Sequence, residues 1–206
     1  MWKKVMNRTV MLYLLAVVVG LAGSRFTLLP LVDYLGVSSG EGEIRNGPWV
    51  TGLKKGAKDQ NFIQKAIISK IGIGNLTKEE SLVWNAFNDS EGQRLHSGRD
   101  YEVHFPGPMP VENTGFWSLT LYNKDYFLAE NPIGRYALGS KDPLKTGPDG
   151  SFTVLVSSRK PTDTTNWLPA PTNDFFTLNV RCYIPKPAML DDPTGVSMPV
   201  IRRILG

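Results

Sequence analysis

The sequence contains a single cysteine, Cys182, among its 206 residues. One cysteine excludes an internal disulfide and a cysteine-based zinc cluster. The 23 lysine and arginine residues are spread along the chain and form no long block, although the formal net charge is +4. Because a nucleic-acid footprint needs a basic cluster or a known binding motif, we expect no nucleic-acid partner.

Motifs for catalysis and for cofactor binding are also scarce. The chain has no G-x-S-x-G elbow and no P-loop, and the G-I-G run at 72–74 lacks the third glycine of a dinucleotide loop. The two histidines, His96 and His104, could join Glu102 or Asp100 in a metal site, but any two residues on one hairpin can share a face. We therefore predict no catalytic residues, no metal and no cofactor.

An uncharged apolar run lies near the N-terminus. Residues 9–23, TVMLYLLAVVVGLAG, follow a flank that contains Lys3, Lys4 and Arg8. As a helix this run spans about 22 Å, which is shorter than a hydrocarbon core of about 30 Å. The apolar pattern resumes after Arg25 and can lengthen the helix.

Two interpretations of residues 1–32 follow from this pattern. The resumed apolar run favours an uncleaved membrane anchor, whereas the small residues Ala22 and Ser24 suit cleavage of a signal peptide before Arg25. Positive charges before the helix predict a cytoplasmic N-terminus, so a single-pass protein would hold its C-terminal domain in the periplasm. The predicted partners are the lipid bilayer and either an inner-membrane protein or a second copy of the chain, whose helix would pack on Gly20, Ala22 and Gly23.

A polar, Gly- and Ser-rich stretch at 33–45 predicts a linker, and the domain is expected over residues 46–206. Trp49, next to an Asn-Gly-Pro turn, is a candidate packing anchor. Residues 59–71 carry apolar side chains at helical spacing and predict one helix that covers a face of the domain.

From residue 81 onward the pattern alternates as β-strands do. Runs of alternating apolar and polar residues, separated by Gly- and Pro-rich turns, lie at 81–87, 101–105, 116–122, 151–157 and 175–184. Cys182 falls on the apolar side of the last run, so we expect it to be buried. The prediction is a mainly β protein, a jelly-roll-like antiparallel β-sandwich with one covering helix, preceded by a transmembrane helix.

Five segments occur in an order that is specific as a set. They are NGPW at 46–49, FWSLTLYNKDYFLAENP at 116–132, NWLPAP at 166–171, FFTLNVRCYIP at 175–185 and PVIRR at 199–203. Together they resemble the bacterial family "domain of unknown function 1214", in its short, membrane-anchored version. The resemblance implies a jelly-roll-like sandwich facing the periplasm and implies no mechanism. The loop FPGPMPVENTG at 105–115 departs from the basic, tryptophan-rich entry expected for the family, which would alter the ligand if this loop lines a site.

Polar and aromatic side chains at strand ends, or on the face opposite the apolar one, form the candidate ligand-binding set. The set is Tyr122, Asp125, Asn131, Arg135, Tyr136, Trp167 and Arg181. Aromatic rings with an arginine and an aspartate suit a sugar, a lipid head group or a small acid. The alternative for Arg181 is a solvent-facing residue or a salt bridge to Asp125. We expect a non-catalytic protein that acts in binding or assembly at the cell envelope; the alternatives are an accessory subunit of an inner-membrane complex and an envelope hydrolase for a sugar or lipid-like substrate.

Overall fold

Ten strands and few helices make up the described part of the computed structural model, which is residues 8–28, 43–53, 65 and 76–204. In chain order the strands are β1 (Glu43–Asn46), β2 (Trp49–Gly52), β3 (Ser81–Ala86), β4 (Tyr101–Phe105), β5 (Val111–Asn123), β6 (Ala137–Gly139), β7 (Phe152–Ser157), β8 (Trp167–Pro169), β9 (Phe176–Pro185) and β10 (Val200–Arg203). The helices are α1 (Arg8–Gly23), which continues as a π-helical turn (Ser24–Leu28), α2 (Pro187–Asp191) and a 3-10 turn (Pro193–Gly195).

The chain divides into two units, residues 1–40 with 61–73 and residues 41–60 with 74–206. In the first unit the segment Arg8–Phe26 is long and apolar enough to cross a membrane, and its side chains are exposed. A signal sequence passes the same test of length and composition. The predicted apolar N-terminal helix is confirmed, and its role as an anchor stays a prediction.

The second unit contains a six-stranded sheet in the order β1-β2-β3-β9-β5-β6, with every neighbouring pair antiparallel. The two longest strands, β5 and β9, are neighbours in this sheet, and they are in register from Phe116–Tyr183 to Asn123–Phe176. Alternation along these strands sends Trp117, Leu119 and Leu121 to the inner face. The partners of these residues are positioned on the same face because paired residues in a sheet share a side.

A four-stranded sheet in the order β10-β4-β7-β8 faces the first one. Its β7–β8 pair is parallel, whereas the sequence predicted only antiparallel pairing. The alternating runs of the sequence include neither β8, which pairs with β7, nor β10, which pairs with β4. Both strands are short, and their pairing with distant strands decides their conformation more than their own sequence does.

Aromatic side chains from both sheets meet in the core. The ring of Trp117 on β5 stacks on Phe105 of β4 at 5.1 Å and on Phe152 of β7 at 5.4 Å between centroids. Trp49 is fully buried and its indole N–H donates to the carbonyl of Pro199 at 2.6 Å, which confirms it as a packing anchor. The mainly β sandwich predicted from the sequence is therefore confirmed.

The first strand begins before the predicted start of the domain. Strand β1 begins at Glu43, three residues before the predicted start of the domain at 46, so residues 43–45 belong to the sheet rather than to the linker. The predicted covering helix at 59–71 lies outside the described residues, apart from Lys65, which is helical.

Candidate functional site

The loop at residues 124–135, between β5 and β6, exposes large apolar side chains. Phe127 is 71% exposed, Leu128 45% and Ile133 42%. Phe127 and Leu128 follow Tyr126, which is half-buried, so this apolar run lies at the surface. An exposed cluster of this kind is a common mark of an interaction site.

Side-chain hydrogen bonds fix the first half of the 124–135 loop. The Oδ1 atom of Asn123 accepts from the backbone N–H of Asp125 and of Phe127, both at 3.0 Å. The backbone N–H of Asn123 also donates to the carbonyl of Phe127 at 2.8 Å, and Tyr126 takes a positive φ of 64°. An asparagine at this position stabilises such a turn because its side chain bonds the backbone two and four residues ahead.

Asn131 fixes the second half of the loop. Its Oδ1 accepts from the N–H of Ile133 at 3.3 Å and of Arg135 at 3.0 Å. Its Nδ2 donates to the carbonyls of Ala129 at 3.1 Å and Arg135 at 2.9 Å. All the hydrogen-bonding capacity of this side chain is therefore used on the backbone of its own loop.

Arg135 ties the loop to the segment that precedes β8. Its Nη1 donates to the carbonyl of Trp167 at 3.0 Å, of Thr165 at 3.4 Å and, at shorter range, of Thr164. Trp167 is only 2% exposed, and its indole N–H donates to Ser157 Oγ at 3.0 Å. The structure thus brings Asn131, Arg135 and Trp167 together, but as a scaffold, with the tryptophan ring in the interior rather than on a ligand-facing surface.

Charged and aromatic residues surround the base of the 124–135 loop. Lys124 Nζ lies 3.1 Å from Asp174 Oδ2, and this hydrogen bond raises the pKa of the lysine and lowers that of the aspartate. The guanidinium of Arg94 lies over the rings of Phe87 at 5.2 Å and Phe175 at 5.9 Å. Burial lowers the pKa of Arg94, and the charge interaction with Tyr126 partly offsets this.

The remaining residues of the predicted set lie apart from that scaffold. Asp125 is exposed on the loop, and Tyr136 is half-buried, with its carbonyl accepting from the N–H of Leu121 at 3.1 Å. Arg181 does not pair with Asp125, the salt bridge considered from the sequence. Its Nη1 donates to the hydroxyl of Tyr122 at 2.8 Å, and its guanidinium lies 5.3 Å from the centre of that ring.

Arg181 and Tyr122 belong to a strip of outward-facing side chains on β9 and β5, which we call the outer strip. It consists of four paired positions, Thr177–Tyr122, Asn179–Thr120, Arg181–Ser118 and Tyr183–Phe116. The strip lies on the face of the six-stranded sheet opposite the core. Its middle is closed to solvent, since Asn179 and Thr120 are each 6% exposed.

Asn179 carries a polar atom without a partner. Its Nδ2 donates to the Oδ1 of Asn85, which lies opposite on β3, while its own Oδ1 is buried and has no hydrogen-bond partner among the described residues. Sequence reasoning missed Asn85, Asn179, Phe116 and Tyr183 as site residues. Their alternation with the core residues was visible, but nothing local to them shows that the polar pair is buried.

The other reactive side chains are engaged or buried. His96 Nδ1 accepts from the N–H of Gly98 at 3.0 Å, and His104 Nδ1 lies 3.1 Å from Thr153 Oγ1. Cys182 is fully buried, and this burial raises its pKa to about 12. Within residues 8–28, 43–53, 65 and 76–204, no three His, Cys, Asp or Glu side chains are placed to hold a metal ion.

A groove of about 570 Å³ opens beside residues 106–110, which connect β4 to β5. Its lining residues are Pro106, Gly107, Pro108, Pro110, Ala188, Met189, Asp192, Gly195, Val196 and Ser197. Of the segment at 105–115 that departs from the expected family pattern, residues 106–110 form a loop that lines this groove, and residues 111–115 belong to β5. The lining is mostly apolar, and Asp192, its one charged residue, already binds Thr194 and the N–H of Gly195.

Comparison with known proteins gives a family and no activity. Residues 80–187, more than half of the chain, match the family described as "Protein of unknown function (DUF1214)". No curated protein matches the chain.

The chain is similar to parts of two solved structures. The VPA0106 protein from Vibrio parahaemolyticus is 27% identical with a TM-score of 0.58, over 71% of this chain and 36% of that one. An uncharacterised protein from Burkholderia cenocepacia is 20% identical with a TM-score of 0.40, over 66% of this chain and 31% of that one. The chain spans about a third of the length of each of these proteins.

Proposed function

The chain belongs to the family of proteins of unknown function DUF1214, and from its geometry we propose that it is a non-catalytic docking module of the cell envelope. In this proposal α1 holds the β-sandwich at the bacterial inner membrane, with the N-terminus in the cytoplasm and the sandwich in the periplasm. The 124–135 loop then binds a protein partner during assembly at the envelope.

The observation that carries the proposal is the fixed presentation of apolar side chains on this loop. Phe127, Leu128 and Ile133 are exposed, yet Asn123, Asn131 and Arg135 hold their backbone through a network of hydrogen bonds. A pre-ordered loop loses little conformational entropy when it binds, so its apolar area contributes more fully to affinity. Exposed aromatic anchors of this kind are frequent at the centres of protein interfaces.

The membrane part of the proposal is supported by the segment Arg8–Phe26 and by the basic residues before it. That segment is long and apolar enough to cross a bilayer, and Lys3, Lys4 and Arg8 lie on its N-terminal side. Basic residues at one end of a membrane helix favour a cytoplasmic location for that end.

Site-specific photo-crosslinking in the native membrane tests the docking role. A photoreactive phenylalanine analogue at position 127 should capture one partner protein, and the same analogue at Glu102, exposed on β4, should not. The double change Phe127→Ser with Leu128→Ser should abolish co-purification of this partner protein in mild detergent. It should leave the midpoint of unfolding nearly unchanged. Equal capture from positions 127 and 102, or no loss in the double variant, would contradict the proposal.

A second candidate function is that of an accessory subunit held through α1 itself. Gly20 and Gly23 lie three residues apart on this exposed helix, and a Cβ atom added to either would meet nothing within 4 Å. With Ala22 they offer a surface that another membrane helix can approach closely. Replacing Gly20 with leucine should release the partner under this function and have no effect if the 124–135 loop alone makes the contact.

Nothing among the described residues favours the hydrolase alternative. A thiol with a pKa of about 12 is protonated at neutral pH, so Cys182 is not an activated nucleophile. Ser118, on the outer strip, faces Arg181 and has no neighbouring histidine, since His96 and His104 bond elsewhere.

A further inference from the structure

The outer strip is distinct from the 124–135 loop; its residues are half-buried, except for Thr120, Thr177 and Asn179, which are closed to solvent. Its four paired positions follow one another at every second residue of β9 and β5, from Thr177–Tyr122 to Tyr183–Phe116. Three such steps span about 20 Å, since a strand rises about 3.4 Å per residue. The strip is therefore long enough for an extended ligand of several linked units.

Arg181 gives the strip a positive charge, and no carboxylate among the described residues forms an ion pair with it. The residue is half-buried, and within that part of the chain it contacts the hydroxyl and the ring of Tyr122. A guanidinium has five N–H donors in a planar fork, and this single bond uses one of them. A partly buried arginine with free donors and no ion-pair partner favours an anionic group, above all a carboxylate or a phosphate.

The polar residues beneath Arg181 need a hydrogen-bond donor. Arg181 and Tyr122 lie two pair positions apart, so their contact crosses the position of Asn179 and Thr120. Asn179 is 6% exposed, and among the described residues its Oδ1 has no hydrogen-bond partner. A buried acceptor without a partner costs about 1 to 3 kcal/mol, and a hydroxyl that bonds to it recovers that energy.

Beyond Arg181 the strip ends in a flat aromatic surface. The rings of Phe116 and Tyr183 are stacked, with centroids 4.3 Å apart and planes 17° from parallel. Both residues are half-buried, so part of the pair remains accessible, and the ammonium of Lys141 lies over the Phe116 ring at 5.9 Å from its centre. An open aromatic plane binds the apolar face of a ring, and a nearby lysine adds a second positive charge.

We propose that the outer strip binds an acidic saccharide, that is, a sugar chain that carries carboxylate or phosphate groups. The acidic group binds the guanidinium of Arg181 and draws it away from Tyr122, which uncovers the Oδ1 of Asn179 for a sugar hydroxyl. A neighbouring sugar ring packs on Phe116 and Tyr183. A simple anion would leave the aromatic plane and Asn179 unused, and an apolar ligand would leave the charge of Arg181 buried without a partner.

Calorimetric titration of the full chain in detergent micelles tests this proposal. The probes are trigalacturonic acid, maltotriose as a neutral sugar of the same length, and inorganic phosphate as a simple anion. Trigalacturonic acid should bind at least about tenfold more tightly than either of the others, which corresponds to about 1.4 kcal/mol. Its affinity should weaken as salt is added, because the contact with Arg181 is ionic.

Matched variants assign the binding to the strip. Arg181→Gln should weaken binding of trigalacturonic acid about tenfold or more, whereas Arg181→Lys should retain part of the affinity. Tyr183→Ala should weaken it by a similar factor, and Tyr183→Phe, which keeps the ring, should match the original protein. Unfolding midpoints of all four variants show whether a loss reflects the site or the fold.

Four outcomes would overturn the proposal. They are equal affinity for the neutral sugar, equal affinity for phosphate alone, unchanged binding in Arg181→Gln with the fold intact, and absence of binding at millimolar trigalacturonic acid. The inference is independent of the docking role of the 124–135 loop. The Phe127→Ser and Leu128→Ser variant should lose its protein partner and keep its affinity for the sugar.

Discussion

Cys182 lies on the inner face of β9, opposite Trp117, and is completely shielded from solvent. Burial raises the pKa of its thiol to about 12, so the reactive thiolate is almost absent at pH 8. We expect Ellman's reagent to modify it only when the sandwich unfolds. In 6 M guanidinium chloride one thiol per chain should react within minutes. Rapid modification of the native protein would show that β9 opens locally or that the thiol is accessible.

Gly139 in β6 lies close to the backbone of the neighbouring strand β5. A Cβ atom at this position would be 2.2 Å from the carbonyl oxygen of Trp117, an approach that only a shift of β6 can relieve. Gly139→Ala should therefore lower the free energy of unfolding by about 2 to 4 kcal/mol.

The matched control for this change is Gly107→Ala, where an added Cβ meets nothing within 4 Å. Its effect should stay within about 0.5 kcal/mol. Urea unfolding of both variants in the same detergent gives the comparison. Equal stability of the two variants would mean that β6 adjusts to a side chain without cost.

At the scale of elements, Arg135 holds the 124–135 loop against the segment before β8. The change Arg135→Ala removes three contacts to backbone carbonyls of residues 164, 165 and 167. We expect a loss of about 2 to 3 kcal/mol in the free energy of unfolding, since hydrogen bonds from a charged group are worth more than neutral ones. Chymotrypsin should cleave after Tyr126 or Phe127 markedly faster in this variant.

Arg159 provides the control for Arg135→Ala. Its side chain is 88% exposed and forms a surface pair with Asp100 at 3.3 Å. Arg159→Ala should change stability by less than about 0.5 kcal/mol and leave the rate of cleavage unaltered. Similar effects from both arginines would show that the loop owes its order to other contacts.

At the scale of the whole molecule, four surface carboxylates within the part of the chain that the structure describes have pKa values below the ordinary range. Hydrogen bonds from Lys145, Lys124, Ser151 and Thr194 lower the pKa of Asp163, Asp174, Asp149 and Asp192 respectively. A pKa lowered by folding contributes stability above the unfolded value of about 3.9, and this stability is lost as the pH falls through the folded value. The protein should therefore lose stability progressively below about pH 4.

Asp163→Asn tests the largest of these shifts. Because the hydrogen bond from Lys145 lowers the pKa of Asp163 most strongly, the variant should show a shallower loss of stability between pH 4 and pH 2 than the original protein. Each pair is exposed, so salt should reduce the difference. Thermal unfolding at several pH values measures it, and parallel curves for the two proteins would contradict the assignment.

The sequence by itself determined most of the strands and the apolar N-terminal helix. Alternation of apolar and polar residues located β3, β4, β7, β9 and most of β5, because a period of two depends only on the local run of residues. The same alternation placed Arg181 opposite the core. The ability of a helix to span a membrane likewise depends on a continuous run of apolar residues, so the apolar helix at Arg8–Phe26 could be predicted without any tertiary contact.

Only the tertiary structure decided which distant residues meet. Arg135 finds its partners about thirty residues away, and Arg181 binds Tyr122 rather than Asp125 because register between β5 and β9 brings that ring within reach. Trp167 enters the core because β8 pairs with β7, and residues 200–203 become a strand because β4 offers an edge. Such pairings join segments far apart in the chain, and their energy comes from neighbours that the local pattern does not contain.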